Sequence, residues 1–195
     1  MISSKYDWQF ATNFTDEKFL KKAKKAGLEP AAASLLYQRG VQTEEALQEF
    51  LEPSLNQLHD PYDLHDMERA VERIRAAIEN YEQILIYGDY DADGMTSASI
   101  VKEALEQLGA ECQVYLPNRF TDGYGPNSSV YKYFIENQGI SLIITVDNGV
   151  AGIEAIELAQ SLGVDVIVTD HHSMPEELPN AYAIVHPEHS GADYP

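Results

Sequence analysis

From residue 84 onward, short apolar runs alternate with amphipathic segments of helical length, and this rhythm constrains the fold more than any other feature. "ILIY" (84–87) precedes a predicted helix over about 95–108, and "CQVYL" (112–116) precedes one over about 128–137. "SLIITV" (141–146) precedes a helix over about 150–161, "VDVIVT" (164–169) leads into a loop or short helix, and "AYAIV" (181–185) is the last run. Strands alternating with helices of about 10–15 residues predict an α/β fold, a parallel sheet flanked by helices. No internal repeat is evident beyond this rhythm.

A helical N-terminal segment precedes the sheet. "TDEKFLKKAKKAG" carries a capping residue at Thr15 or Asp16 and stops at Gly27. "EPAAASLLYQRG" stops at Gly40, and "TEEALQEFLEP" runs from a cap at Thr43 to Pro53. After the turn-rich "SLNQLHDPYDLHD", Ala70, Ile74, Ala77, Ile78 and Tyr81 keep helical spacing, so one face packs on something. The division expected is a helical segment over 1–80 and an α/β domain over 81–195. The Lys21, Lys22, Lys24, Lys25 cluster reads as a solvated helix face.

The length of 195 residues suits one ordinary core with at most a small appendage. Cys112 is the only cysteine, so no intrachain disulfide can form, and a reducing cytoplasm is the expected location. The start has no secretory pattern, and no apolar run nears the roughly 20 residues needed to span a bilayer, so no membrane partner is expected. The formal charge of −19 is uneven: residues 81–195 hold three Lys/Arg and eighteen Asp/Glu. That balance speaks against nucleic-acid binding by charge alone, unless metal ions neutralise the acids or further sequence supplies a basic groove.

The acids are not scattered. Three strand-like runs end in aspartate: Asp89 after "ILIYG", Asp147 after "SLIITV" and Asp170 after "VDVIVT". In an open α/β sheet the ligand site lies beyond the carboxyl ends of the strands, so one sheet edge gathers all three. In "GDYDADG", alternation along an extended segment aims Asp89 and Asp91 at one point. Asp93 either continues that row or caps the following helix. "TDHH" adds His171 and His172, one imidazole for a metal and one for substrate, with Asp170 able to orient an imidazole. His59, His65, His186 and His189 read as surface or packing residues.

Carboxylates with an imidazole favour Mn²⁺ or Mg²⁺ over structural zinc. Several acids around one point suit two divalent ions, which clamp a phosphate and activate a water. Arg119, in "LPNRFTDGYGPN", is a candidate phosphate contact, and Gly123 and Gly125 allow close backbone approach. A salt-bridged surface loop is the alternative for that stretch.

"DYDADG", "VDNG" and "TDHH", in that order, resemble the first three motifs of the DHH phosphoesterase superfamily. The helical preface "LLYQRGVQTEEALQEFLEP" and "DPYDLHDMERAVERI" is similar to that of its single-strand-specific 5′→3′ DNA exonucleases. The resemblance covers about Trp8 to Pro195. It implies Mn²⁺ or Mg²⁺ ligation by Asp89, Asp91, Asp147 and His171, with Asp147 bridging two ions and Asp93 as a further acidic or supporting group. It also implies that His172 contacts the scissile phosphate, Asp170 supports the histidines and Arg119 binds a DNA phosphate. Single-stranded DNA is then the substrate, released as 5′-mononucleotides in repair and recombination, with single-strand-binding protein or a helicase as partners. Two departures stand out. Tyr87 occupies a place where some members have histidine, and a fourth aspartate motif and a substrate-gripping domain would lie beyond Pro195, so the chain reads as truncated within the catalytic region.

Other readings remain open on sequence. One is a DHH phosphodiesterase of short oligonucleotides or cyclic dinucleotides, or a pyrophosphatase, against which the helical preface argues. Another is a non-catalytic DHH scaffold, which has no need of intact acids and histidines. An aspartate-nucleophile phosphatase would need a lysine on the sheet, but Lys102 and Lys132 both fall on predicted helices.

Overall fold

The computed structural model describes residues 16–189 and residue 194, so Thr15 lies outside the described residues. The chain divides into two compact units after Leu58. The first holds α1 (Glu17–Lys25), α2 (Pro30–Gln38), α3 (Glu44–Leu51) and a 3-10 turn, Leu55–Gln57. Asp16 caps α1 by accepting the N–H groups of Lys18 and Phe19 at 2.8 and 3.0 Å. Thr43 caps α3 through Ala46 N–H at 3.1 Å. Pro30 opens α2, where a missing N–H costs nothing. Phe19, Ala23, Ala33 and Leu47 form a small core, and Lys22 pairs with Glu44 at the surface at 2.8 Å.

The second unit begins with a 3-10 turn, Pro61–Asp63, and α4 (Met67–Glu79). The βα rhythm follows: β1 (Gln83–Tyr87), α5 (Ala92–Gln107), β2 (Glu111–Tyr115), α6 (Ser128–Gln138) and β3 (Ile140–Val146). It closes with α7 (Ile153–Ser161), β4 (Asp165–Thr169) and β5 (Ala183–Val185). All five strands are parallel, in the order β2-β1-β3-β4-β5. The connection from β1 runs outward to β2 and then back across to β3, so the order reverses between β1 and β3. In doubly wound sheets the crevice at such a reversal receives ligands.

Alternate strand residues bury on opposite faces. Leu85, Tyr87, Ile143, Val166 and Val168 pack with Tyr131 of α6 and Ile156 of α7. Ile84, Ile86, Leu142, Ile144 and Ile167 pack with Ala70 and Ala77 of α4 and Ala98 and Leu105 of α5. Each fully buried Ile or Leu contributes about 1.5–3 kcal/mol, so the two faces carry most of the stabilisation. α4, read from sequence as the end of the preface, thus belongs to the second unit's core. Among the described residues, no helix is long and apolar enough to cross a membrane.

At the amino ends of the strands Arg73 of α4 joins two elements. Its Nε donates to Asp165 at 2.6 Å and its Nη2 to Glu82 at 2.7 Å, with Ser141 Oγ also on Glu82 at 3.1 Å. The Arg73 guanidinium holds the Glu82 carboxyl below the usual carboxylate range. A depressed carboxylate stabilises fully above its unfolded pKa and loses that contribution as pH falls through its folded value. Arg73→Leu is therefore expected to cost about 2 kcal/mol at pH 7, and less at an acid pH low enough to protonate Glu82 in the folded protein. Urea denaturation at both pH values checks this; an equal deficit at both would assign the cost to packing instead.

Candidate metal centre

Three strand ends converge at the carboxyl edge, on either side of the order reversal. β1 ends at Tyr87, and Asp89 follows two residues later, only 2% exposed, its Oδ1 accepting Tyr90 N–H at 2.7 Å. The chain then turns into α5. The cap is Asp91, not Asp93: its Oδ1 accepts the N–H groups of Asp93 and Gly94, both at 3.1 Å. The helix starts at Ala92, earlier than the pattern suggests, because Asp91 is extended and already supplies the cap. Asp93 lies exposed in the first helical turn and joins neither of the candidate ligand groups described below. The Gly94 and Asp93 N–H groups hold the Asp91 carboxyl below its usual range.

Asp147 follows β3 in the left-handed region, φ 63°, a conformation that aspartate and asparagine tolerate better than most residues. Its backbone N–H donates to Thr169 O at 3.0 Å, tying the turn to β4. The Asp147 side chain is buried; Oδ1 meets His171 Nε2 at 2.8 Å, and Oδ2 has no hydrogen-bond partner. Burial pushes the Asp147 carboxyl up, against the pull of His171.

Asp170, after β4, faces inward and organises the loop. Its Oδ1 accepts the backbone N–H of His171 at 2.7 Å and of His172 at 3.1 Å, and meets His172 Nδ1 at 2.8 Å. Its Oδ2 accepts Val150 N–H at 3.0 Å. Burial opposes the Asp170 charge, but the N–H of Val150 and the His172 contacts outweigh it and lower its pKa. In return the Asp170 carboxylate raises the pKa of His172. With Nδ1 committed to Asp170, Nε2 is the His172 nitrogen left for a ligand.

Two groups of candidate ligands emerge, Asp89 with Asp91 and Asp147, and Asp147 with His171 and His172. In each, the donor atoms lie within 4.8 Å of one another, and Asp147 belongs to both. The buried, unpartnered Oδ2 of Asp147 and a donor set of oxygens plus imidazole nitrogen fit hard divalent cations. A cavity of about 330 Å³ opens beside His172, its lining including Tyr124, Pro126, Val150, Asp170 and Ser173.

The remaining sequence candidates sit around this centre. Arg119 is exposed, its guanidinium 5.0 Å from the Tyr90 ring centroid. Tyr90 in turn meets Tyr124, and Tyr124 meets His172, edge to face at 6.4 and 5.7 Å. Tyr87 is fully buried below the site, and its hydroxyl donates to Gly125 O at 3.0 Å, anchoring the loop that carries Arg119. His186, read from sequence as a surface or packing residue, is fully buried and directly supports the site. Its Nε2–H donates to His172 O at 2.7 Å, and its Nδ1 accepts Glu188 N–H at 3.0 Å. Only the pairing of β5 beside β4 brings it there, so no local signal marks it.

The chain belongs to the DHH family: the family model "DHH family, N-terminal domain" matches residues 83–193. Within that family it is similar to the single-stranded-DNA-specific exonuclease RecJ of Bacillus subtilis (strain 168), 43% identical over all 195 residues and 25% of the relative. The RecJ of Escherichia coli (strain K12) is 39% identical over 171 residues, 87% of this chain and 29% of the relative. A crystal structure of exonuclease RecJ bound to manganese matches with TM-score 0.63 and 30% identity, covering 69% of this chain and 34% of that one. A RecJ from Thermus thermophilus in complex with Mn²⁺ matches with TM-score 0.63 and 27% identity over 90% of this chain and 24% of that one. The chain spans about a quarter of the length of the curated relatives it matches.

Proposed function

We propose that this chain carries the N-terminal catalytic portion of a single-strand-specific 5′→3′ DNA exonuclease that hydrolyses phosphodiester bonds with Mn²⁺ or Mg²⁺. The meeting of two ligand groups at Asp147 carries the reading. Carboxylates this close repel one another, and the 81–195 half supplies only three Lys/Arg to offset them. Similarity to RecJ over the whole chain supports the substrate class, and the family resemblance supports the direction of cleavage.

In this proposal Asp89, Asp91, Asp147 and His171 would hold two ions, with Asp147 belonging to both ligand groups. Bound there, such a pair would clamp the scissile phosphate and make a water nucleophilic. The chain's own residues orient the substrate. Asp170 fixes the His172 ring and favours its charged form, so Nε2 can present a proton to a phosphoryl oxygen. Arg119, beside Tyr90, is placed to grip a neighbouring phosphate with a planar fork. Asp93 contributes only through the first helical turn. The family resemblance further suggests a role in repair and recombination, with single-strand-binding protein or a helicase as partners, and the single cysteine suits a reducing cytoplasm. The functional division would set a helical segment over about 1–80 before the DHH domain over 81–195.

The test is digestion of end-labelled single-stranded DNA by the complete gene product in Mn²⁺. Mononucleotides released stepwise from the 5′ end are expected. Cleavage confined to dinucleotides would favour a small-substrate phosphodiesterase, and no cleavage of either would favour a scaffold. His172→Ala is expected to bind Mn²⁺ with near wild-type affinity while hydrolysis falls about 10²–10³-fold. An Asp-held imidazole also suits a metal ligand, so calorimetry showing lost Mn²⁺ affinity would reassign His172 to the metal.

A further inference from the structure

We infer that Asn148 is a positioning residue whose side-chain amide clamps the ends of β1 and β3, and thereby sets the spacing between Asp89 and Asp147. This rests on the metal reading proposed above. The Asn148 side chain is fully buried, and its Nδ2 donates to two main-chain carbonyls, Tyr87 O at 3.3 Å and Val146 O at 2.9 Å. Those carbonyls end the two strands that flank the order reversal. Asp89 lies two residues past the first, and Asp147 adjoins the second. One nitrogen therefore spans the crevice on which the shared-ligand arrangement depends.

The amide orientation follows from its surroundings, because turning it over would set Oδ1 against two carbonyl oxygens. As placed, Oδ1 is buried with no hydrogen-bond partner. A buried acceptor left unpaired is costly, so side-chain satisfaction alone does not account for asparagine here. The same residue also fixes its turn from behind. Thr145 Oγ1 donates to Asn148 O at 2.7 Å, and Asn148 forms an antiparallel bridge with Thr169 of β4. Thus Asn148 touches the ends of all three strands that lead into Asp89, Asp147 and His171.

The clamp predicts a change in metal binding, beyond any loss of stability. Asn148→Leu keeps the branched shape and heavy-atom count of the side chain, with bulkier methyl groups, but cannot donate. Mn²⁺ binding by calorimetry is expected to weaken at least about tenfold, the scale seen when a group that orients ligands is lost. The electron paramagnetic resonance signal of two coupled Mn²⁺ ions should give way to that of isolated ions. Arg73→Leu, at the opposite end of the strands, serves as the control for destabilisation and should keep wild-type affinity and coupling. If Asn148→Leu does not fold, Asn148→Ala provides the same readouts.

Unchanged affinity and coupling in the Asn148 variant would overturn the clamp and leave the metal reading intact. Equal losses in the Arg73 control would also overturn it, since general destabilisation would then suffice. Wild-type protein that takes up no Mn²⁺ would overturn the metal reading itself, and the clamp with it.

Discussion

Gly94→Ala is expected to lose both stability and metal affinity, the former by about 3 kcal/mol. A Cβ at this position would lie 2.4 Å from Asp89 N and 2.6 Å from Asp89 Cα and Cβ. These are main-chain atoms and the root of a buried side chain, so nothing flexible is available to yield. The first turn of α5 must retreat from the end of β1, carrying the Asp91 cap away from Asp89. Gly88 makes an instructive contrast, because the nearest atom to its added Cβ is the tip of Leu116, at 2.7 Å. That side chain can move, and Gly88→Ala should be the milder change. Denaturant unfolding and Mn²⁺ calorimetry measure the two effects. A Gly94→Ala protein with wild-type midpoint and affinity would show that the close approach of α5 to Asp89 is dispensable.

Asp147→Asn is expected to separate function from folding. Asparagine tolerates the φ of 63° at this position and nearly preserves side-chain volume. The buried Oδ2 carries no hydrogen bond in the protein alone, so neutralising the group removes a cost of burial. The metal-free melting temperature should therefore hold or rise. If Asp147 serves both ligand groups as proposed, divalent-ion-dependent hydrolysis should fall by about 10³-fold or more. Melting curves with and without Mn²⁺ give the clearest readout: the stabilisation by Mn²⁺ should disappear. Full turnover by the purified variant would refute the bridging role.

Much of this arrangement is legible in the amino-acid sequence. The five apolar runs mark the five strands because parallel strands buried on both faces need continuous apolar stretches. The rule that ligands gather at carboxyl ends then brings Asp89, Asp147 and the Asp170–His172 turn to one edge. What local sequence could not supply depends on contacts between distant segments. On paper Asp93 is the cap candidate, and only the turn after Tyr90 shows that Asp91 takes that place. His186 and Asn148 act through main-chain carbonyls of other segments, so their partners appear only once strand order and register are fixed. Arg73 is visible as a charge on a helix, whereas its partners Glu82 and Asp165 are brought together by β1 and β4. The strongest local signal, three aspartates at alternate positions, marks a ligand cluster but not which of them joins it.

The separation between the Arg73 cluster and the aspartate edge has a consequence for how such a chain can change over generations. Ion pairs at the amino ends of the strands adjust how firmly the sheet holds, and they share no side chain with the ligand groups. Thermal adaptation can therefore proceed at one end while chemistry is kept at the other. Substitutions at the carboxyl edge have no such latitude, because the same few turns both close the strands and aim the ligands.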